Sequence, residues 1–296
     1  MRIIEVDGDL KELCEHGTVH FPLLVNHDDL NTFQEKHIIC HWHDDLELSI
    51  VRQGTAVYQI SGLPYEISEG NGMVINAGIP HMIAPKRDSR VELLTIVVHP
   101  ELLYGNPGSD VDSLCLRPFM RVKELAGVTL NQYVPWQARV LKALYEVDFY
   151  NKERPFGFQL KIKGLLCEAF YEIISSQEDI IKNGQPFNRT DLRRLKVLLD
   201  YIHLHYNQVI SLKELAGLIY LTRESCCRLF KQLTGKTIGR YICDYRVAQG
   251  IRLLQEERYS VTQVASMVGF SSSSRFAQAF RDVMDCSPSE YLHKIS

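Results

Sequence analysis

With 296 residues, 45 % hydrophobic and 23 % charged, the chain is too long for one ordinary core and too apolar for a disordered, collagenous or low-complexity protein. Its formal charge of −3 hides an asymmetry: residues 1–188 hold 17 Lys+Arg against 26 Asp+Glu and residues 189–296 hold 16 against 10, so −9 is followed by +6 and the basic last third is expected to meet a polyanion. Apolar runs are short, as in LLTIVV at 93–98, and the acidic start MRIIEVDGDLKEL lacks the apolar stretch of a signal peptide, so no membrane partner is expected.

From about 20 to 100 the chain alternates short β-branched and aromatic runs (ELSIVRQ, TAVYQI, GMVINAG, VELLTIVV) with turn residues such as Gly54, Gly62, Gly70 and Gly78, which predicts an antiparallel barrel or sandwich. Within it, HWHDDLELSIVRQG at 41–54 contains His-x-His-x3-Glu-x6-Gly, and GNGMVINAGIPH at 70–81 adds Gly78 and His81. These segments resemble the two cupin motifs, the second with Asn76 where Pro is usual and Pro85 where Asn is usual. The resemblance implies that His41 and His43 face inward from one strand, that Glu47 follows, and that His81 arrives from a facing strand. That set of three nitrogens and an oxygen suits a divalent metal such as Zn, Fe, Mn or Ni. Two other readings stay open: the same four residues contact an effector directly, with Tyr58 or Trp42 offering ring surface, or they are a structural remnant. No other cofactor is indicated. The eight cysteines, at 14, 40, 115, 167, 226, 227, 243 and 286, show no CxxC pair or regular spacing, which argues against a disulfide framework or zinc knuckle and for a reducing cytoplasm.

From about 135 the period changes. Val140, Leu141, Leu144 and Val147, then Leu165, Leu166, Ala169, Phe170 and Ile173, recur at helical spacing around a turn with Pro155 and Gly157, predicting a helical hairpin over about 135–178. KNGQPFNR at 182–189 is the expected linker.

The last hundred residues repeat. SLKELAGLIYLTRESCCRLFKQLTGKTIGRYI at 211–242 lies over SVTQVASMVGFSSSSRFAQAFRDVMDCSPSEYL at 260–292, with an offset of 49 that becomes 50 inside the turn. Each copy reads as helix-turn-helix: a Ser start (Ser211, Ser260), a small residue (Ala216, Ala265), a turn with Thr222 or Ser271 as the next N-cap, then an amphipathic helix. Ser211 with Glu214 suggests a capping box. The helix expected over 237–257 is about 30 Å long at 1.5 Å per residue, close to the roughly 34 Å between successive major grooves on one face of DNA.

LTRESCCRLFKQLTG and, more specifically, VTQVASMVGFSSSSRFAQAFRDVMDCSPSEYL resemble the AraC/XylS family of bacterial transcription regulators. Departures are Tyr220 where many such turns carry Gly, Ile238 where Pro is usual and Asp285 where Gly is usual. With the buried stripes of the two second helices taken as Cys226, Leu229, Phe230 and Phe276, Ala279, Phe280, the DNA-facing residues are Glu224, Cys227, Arg228 and Lys231, and Ser273, Ser274, Gln278 and Arg281. Arg228 suits a guanine, Gln278 an adenine, Glu224 a cytosine and Ser273 or Ser274 either kind of partner, while Lys231 and Arg281 suit phosphate.

The expected architecture is α+β and multidomain: a cupin-like antiparallel β-barrel with a helical hairpin over 1–181, a linker at 182–189, and an all-α DNA-binding domain over 190–296. The resemblance implies a non-enzymatic DNA-binding regulator controlled by a small molecule, a carbohydrate by family analogy. It implies double-stranded promoter DNA, the effector, RNA polymerase and a second copy of the chain as partners. The rival reading is a cupin metalloenzyme with a DNA-localising domain.

Overall fold

The computed structural model describes the chain except residues 1–3, 8–9, 34–35, 88, 187–188, 256–258, 285 and 296, and except the side chains of 189, 192 and 293–295; Asp285 thus lies outside the described residues. It divides into two compact units, 1–188 and 189–296.

In the first unit the alternating runs become β1 (Leu23–Asp29), β2 (Ile38–His41), β3 (Leu46–Gln53), β4 (Thr55–Ile60), β5 (Leu63–Ser68), β6 (Gly72–Ile75), β7 (His81–Pro85), β8 (Glu92–Val98) and β9 (Gly127–Leu130). All described pairings of these strands are antiparallel, in sheets of order β1-β8-β3-β6-β9 and β2-β7-β4-β5. Ser61 and Gly62, both at positive φ, turn β4 into β5 in the two-residue hairpin that suits strand twist. Between β8 and β9 run α1 (Glu101–Tyr104), a helical stretch at Val111–Leu116 and α2 (Arg117–Arg121), none anticipated from the sequence, nor was β9.

The hairpin helices are α3 (Pro135–Glu153) and α4 (Phe158–Ser176). Their apolar stripes lie in one core with Leu46, Leu48 and Ile50 of β3 and Leu94, Ile96 and Val98 of β8. The five-stranded sheet is therefore buried on both faces: even-numbered β3 residues meet the helices, and Glu47, Ser49 and Val51 turn to the barrel interior, where Val51 packs with Tyr58, Met73 and Ile75. The hairpin's apolar stripes are largely taken up by the chain's own barrel. The expected linker begins inside α5 (Glu178–Asn183), and Pro186 bridges to Val122 while Lys123 N donates to Gln185 O at 2.8 Å, so 182–186 is fastened to the first unit.

The second unit is helical: α6 (Arg189–His205), α7 (Leu212–Leu218), α8 (Arg223–Thr234), α9 (Ile238–Gln255), α10 (Val261–Met267), α11 (Ser273–Met284) and α12 (Pro288–Ile295). α9 spans 18 residues, about 27 Å, rather than the 21 expected; its predicted end at 256–257 lies outside the described residues. Val247, Ile251 and Leu254 of α9 share a core with Val264, Phe276 and Phe280, while Tyr241 meets Phe230 of the first helix-turn-helix at 5.4 Å between ring centroids. At Gly250 a Cβ would stand 2.8 Å from the Phe276 ring, so the close approach of α9 and α11 requires glycine there.

Candidate effector site and nucleic-acid interface

The four cupin-motif residues converge. His41, His43, Glu47 and His81 are all buried, none more than 4 % exposed, and one donor atom from each lies within 4.8 Å of all the others. The route to this cluster differs from the expectation. His41 ends β2 and pairs directly with His81 on the neighbouring strand β7; His43 lies beyond β2, and Glu47 is the residue that reaches across from the other sheet. The chain changes sheets between 41 and 46, so the His-x-His pair straddles a crossing instead of sharing a strand.

Each imidazole is oriented by the main chain: Nδ1 of His41 faces Ile39 O at 2.9 Å, that of His43 faces Asp45 O at 3.1 Å and that of His81 faces Ile79 O at 2.8 Å. A carbonyl only accepts, so each Nδ1 carries the proton and each Nε2 of a neutral ring presents a lone pair. Glu47 Oε2 lies 3.4 Å from His43 Nε2 and 3.3 Å from His81 Nε2. Burial, then the neighbouring His81 and His43, push the His41 ring well below its usual range. Burial also opposes charge on Glu47 and His81, but their mutual attraction wins, so the Glu47 carboxyl falls well below its usual range and the His81 ring rises.

The residues 41, 43, 47 and 81 thus form the donor set that the cupin resemblance implies, and their types suit a first-row divalent ion. Tyr58 is fully buried: its hydroxyl is 2.9 Å from Ser49 Oγ, and its ring lies in one core with Val51, Met73 and Ile75. The Trp42 ring carries the Lys11 ammonium at 5.2 Å.

Three acidic or basic residues of the cluster's rim escaped the sequence reading. Glu12 Oε2 lies 3.7 Å from His41 Nε2 and 3.1 Å from His16 Nε2, and His16 Nδ1 lies 2.8 Å from Asp45 Oδ2. Burial pulls the His16 ring down, but the Asp45 and Glu12 carboxylates more than offset it and hold it up at about 9. The available signal was the four-residue spacing of Glu12 and His16; it was obscured because they precede the strands.

In the second unit each helix-turn-helix is built locally. Ser211 Oγ accepts from Glu214 N at 3.1 Å, but Glu214 bonds the Tyr201 hydroxyl, so the capping box suggested there is half formed. The reciprocal box is at Ser260, whose N–H donates to Gln263 Oε1 at 2.9 Å. Thr222 caps α8 as expected, whereas the residue accepting from Arg275 N ahead of α11 is Ser272, not Ser271, in keeping with the offset of 50. Tyr220 adopts φ 55°, and its counterpart Gly269 adopts φ 86°.

Glu224, Arg228, Lys231, Ser274, Gln278 and Arg281 are exposed, Cys227 and Ser273 half-buried. The six stripe residues are buried. Glu224 is held by its own N–H and by Thr222, which lowers its carboxyl pKa. Gln278 Nε2 donates to Asp282 Oδ1 at 2.9 Å, so a bidentate adenine contact needs the amide to leave Asp282. Arg223 and Arg275, exposed in the first turns of α8 and α11, are further cations on these helices.

Comparison with known proteins follows this division. The family of AraC-like ligand binding domains matches residues 30–139, and a helix-turn-helix domain family matches residues 215–294. The chain is 30 % identical over 299 residues, covering 98 % of each chain, to the uncharacterized HTH-type transcriptional regulator YdeC of Bacillus subtilis. It is 27 % identical to the HTH-type transcriptional activator RhaS of Escherichia coli, over 84 % of this chain and 85 % of that one. A crystal structure of apo ToxT from Vibrio cholerae aligns with 96 % of this chain and 100 % of that one, at 16 % identity and a TM-score of 0.40.

Proposed function

The chain belongs to the AraC family of helix-turn-helix transcriptional regulators, with a ligand-binding domain ahead of a DNA-binding domain, and from that premise we propose that it reads a specific promoter sequence under control of a small effector held in its barrel. The observation that carries this reading is the pair of capped helix-turn-helix units whose second helices bury one face and expose Arg228, Lys231, Gln278 and Arg281 on the other. Arg228 reads a base edge, and Lys231 and Arg281 fix register on phosphates. α9, about 27 Å long, carries the two units to successive major grooves.

The effector acts by binding more tightly to one arrangement of sensing and reading units than to another, since equal affinity shifts nothing. In this proposal the protein works in the cytoplasm as a homodimer that engages RNA polymerase, and it is an activator by analogy with the relative bearing that description. Dimer contacts use the outer side of the α3–α4 hairpin, where Phe149, Leu160 and Tyr171 remain exposed. Among the described residues no helix is long and apolar enough to cross a membrane.

Footprinting on the DNA upstream of its own operon tests the proposal. Two protected segments about one helical turn apart on one face are expected. A single short segment, or uniform protection without sequence preference, contradicts it.

A further inference from the structure

We infer that Glu12, Cys14 and His16, on the segment that precedes β1, hold one thiophilic divalent cation of the class of Zn2+ or Cd2+, at a site separate from the four barrel residues. The site goes beyond the regulator reading and does not depend on what the barrel holds.

The three side chains occupy alternate positions of one short segment. One donor atom from each, a carboxylate oxygen, a thiol sulfur and an imidazole nitrogen, lies within 4.8 Å of the other two. Bonds of about 2.0–2.3 Å put tetrahedral donors roughly 3.3–3.7 Å apart, so closing the set around an ion takes about 1 Å of side-chain movement. Glu12 Oε2 and His16 Nε2 already stand 3.1 Å apart. The same oxygen is 3.7 Å from His41 Nε2, so it belongs with His16 before the barrel set.

His16 is oriented as a ligand. Its ring is buried, and its Nδ1 lies 2.8 Å from Asp45 Oδ2. That carboxylate takes the Nδ1 proton, which fixes the tautomer and leaves Nε2 to face Glu12, as outer carboxylates do for metal-binding imidazoles. The ion takes the place of the proton between Nε2 and Glu12 Oε2 and of the Cys14 thiol proton, which is otherwise given to Glu15 O at 3.6 Å.

The fold holds the segment in place independently of the ion. Leu10 O accepts from Trp42 N at 2.9 Å and Glu12 N donates to Trp42 O at 2.9 Å, while the Lys11 ammonium meets Asp44 Oδ2 at 2.5 Å and the Trp42 ring at 5.2 Å. Much of the entropy of gathering the donors is therefore already spent. Cys14 decides the class of ion, because a thiolate favours Zn2+ or Cd2+ over Mg2+ and Ca2+, which take oxygen. It is exposed, so the ion enters from solvent, and three protein donors leave a fourth position for water.

The test uses the full chain, purified without a histidine tag, reduced, stripped with a chelator and titrated with Co2+. Thiolate ligation gives a saturable near-ultraviolet sulfur-to-cobalt charge-transfer band, which the nitrogen and oxygen donors of the barrel cannot produce. Cys14→Ser, checked for a native thermal transition, should lose the band, and Asp45→Asn should weaken Co2+ binding read at that band by about 10- to 100-fold. Glu47→Gln, which alters the barrel set alone, should keep it. In the wild-type chain Zn2+ should slow alkylation of Cys14 by iodoacetamide, followed by peptide mass spectrometry. The inference is overturned by a folded, reduced wild-type chain without the band, by the band's survival in Cys14→Ser or its loss in folded Glu47→Gln, or by Cys14 alkylation at the same rate with and without Zn2+.

Discussion

Arg246 on α9 holds together two parts of the reading unit that its sequence separates widely. Its guanidinium donates to Tyr206 O at 2.6 Å and Gln208 O at 2.7 Å, in the chain leaving α6, and to Gly269 O at 2.7 Å, in the turn between α10 and α11. Arg246→Met keeps most of the aliphatic stem and removes all three donors. The side chain is half-buried, so each charge-assisted bond is taken at the low end, about 1.5 kcal/mol, giving a loss of about 4.5 kcal/mol for the three. Against a domain stability of about 5–15 kcal/mol, this is a large fraction, and for about 100 residues it lowers Tm by roughly 20 °C. Thermal unfolding of the full chain followed by calorimetry measures it, with Arg252→Met, exposed on the same helix, as control. A loss below about 1 kcal/mol, or equal to the control's, would refute the reasoning.

Tyr220→Gly should stabilise the chain, because Tyr220 sits at φ 55° and is 92 % exposed: relief of about 1–2 kcal/mol of left-handed strain exceeds the added chain entropy of about 0.4–1 kcal/mol. An unchanged or lower urea midpoint would count against that strain. His16, held up at about 9 against an ordinary 6.5, binds more proton folded than unfolded; its contribution is full below pH 6.5 and disappears as pH rises through 9. In chelator, the Tm of the wild-type first unit should therefore fall relative to His16→Gln between those values, and parallel pH profiles would refute the coupling. Arg228→Ala should weaken binding to the preferred sequence by about 1–3 kcal/mol while changing binding to unrelated DNA much less, as read by anisotropy. Equal losses on both DNAs would make Arg228 a phosphate contact.

How legible all this was in the sequence depended on distance along the chain. The strands β3 and β8, the α3–α4 hairpin and the tandem repeat announce themselves because their periodicity is local. The N-cap of α11 at Ser272 also follows from the repeat's own offset of 50 applied to Thr222, although the Ser run at 271–274 obscured it. By contrast β9 has four residues, GVTL, and exists because the edge of β6 offers it hydrogen bonds. The residues of the barrel cluster were legible as a motif, but which sheet supplies each was not, since the chain crosses between sheets within five residues of His41. Glu12 and His16 reach that cluster through a pairing with Trp42 separated by 30 residues, and no local pattern encodes it. Arg246 looked like one more basic residue of the DNA-binding third, and only the fold turns it inward to three carbonyls.

The most direct test of the central claim is the ratio of affinities of the full chain for its own upstream DNA and for a shuffled sequence of the same length, measured across salt concentrations. A specific reader with two reading heads should prefer its own site by at least about 1,000-fold at physiological salt, with the preference persisting as both affinities fall. Equal affinities that decline together with salt would show a nonspecific polyanion binder and contradict the account.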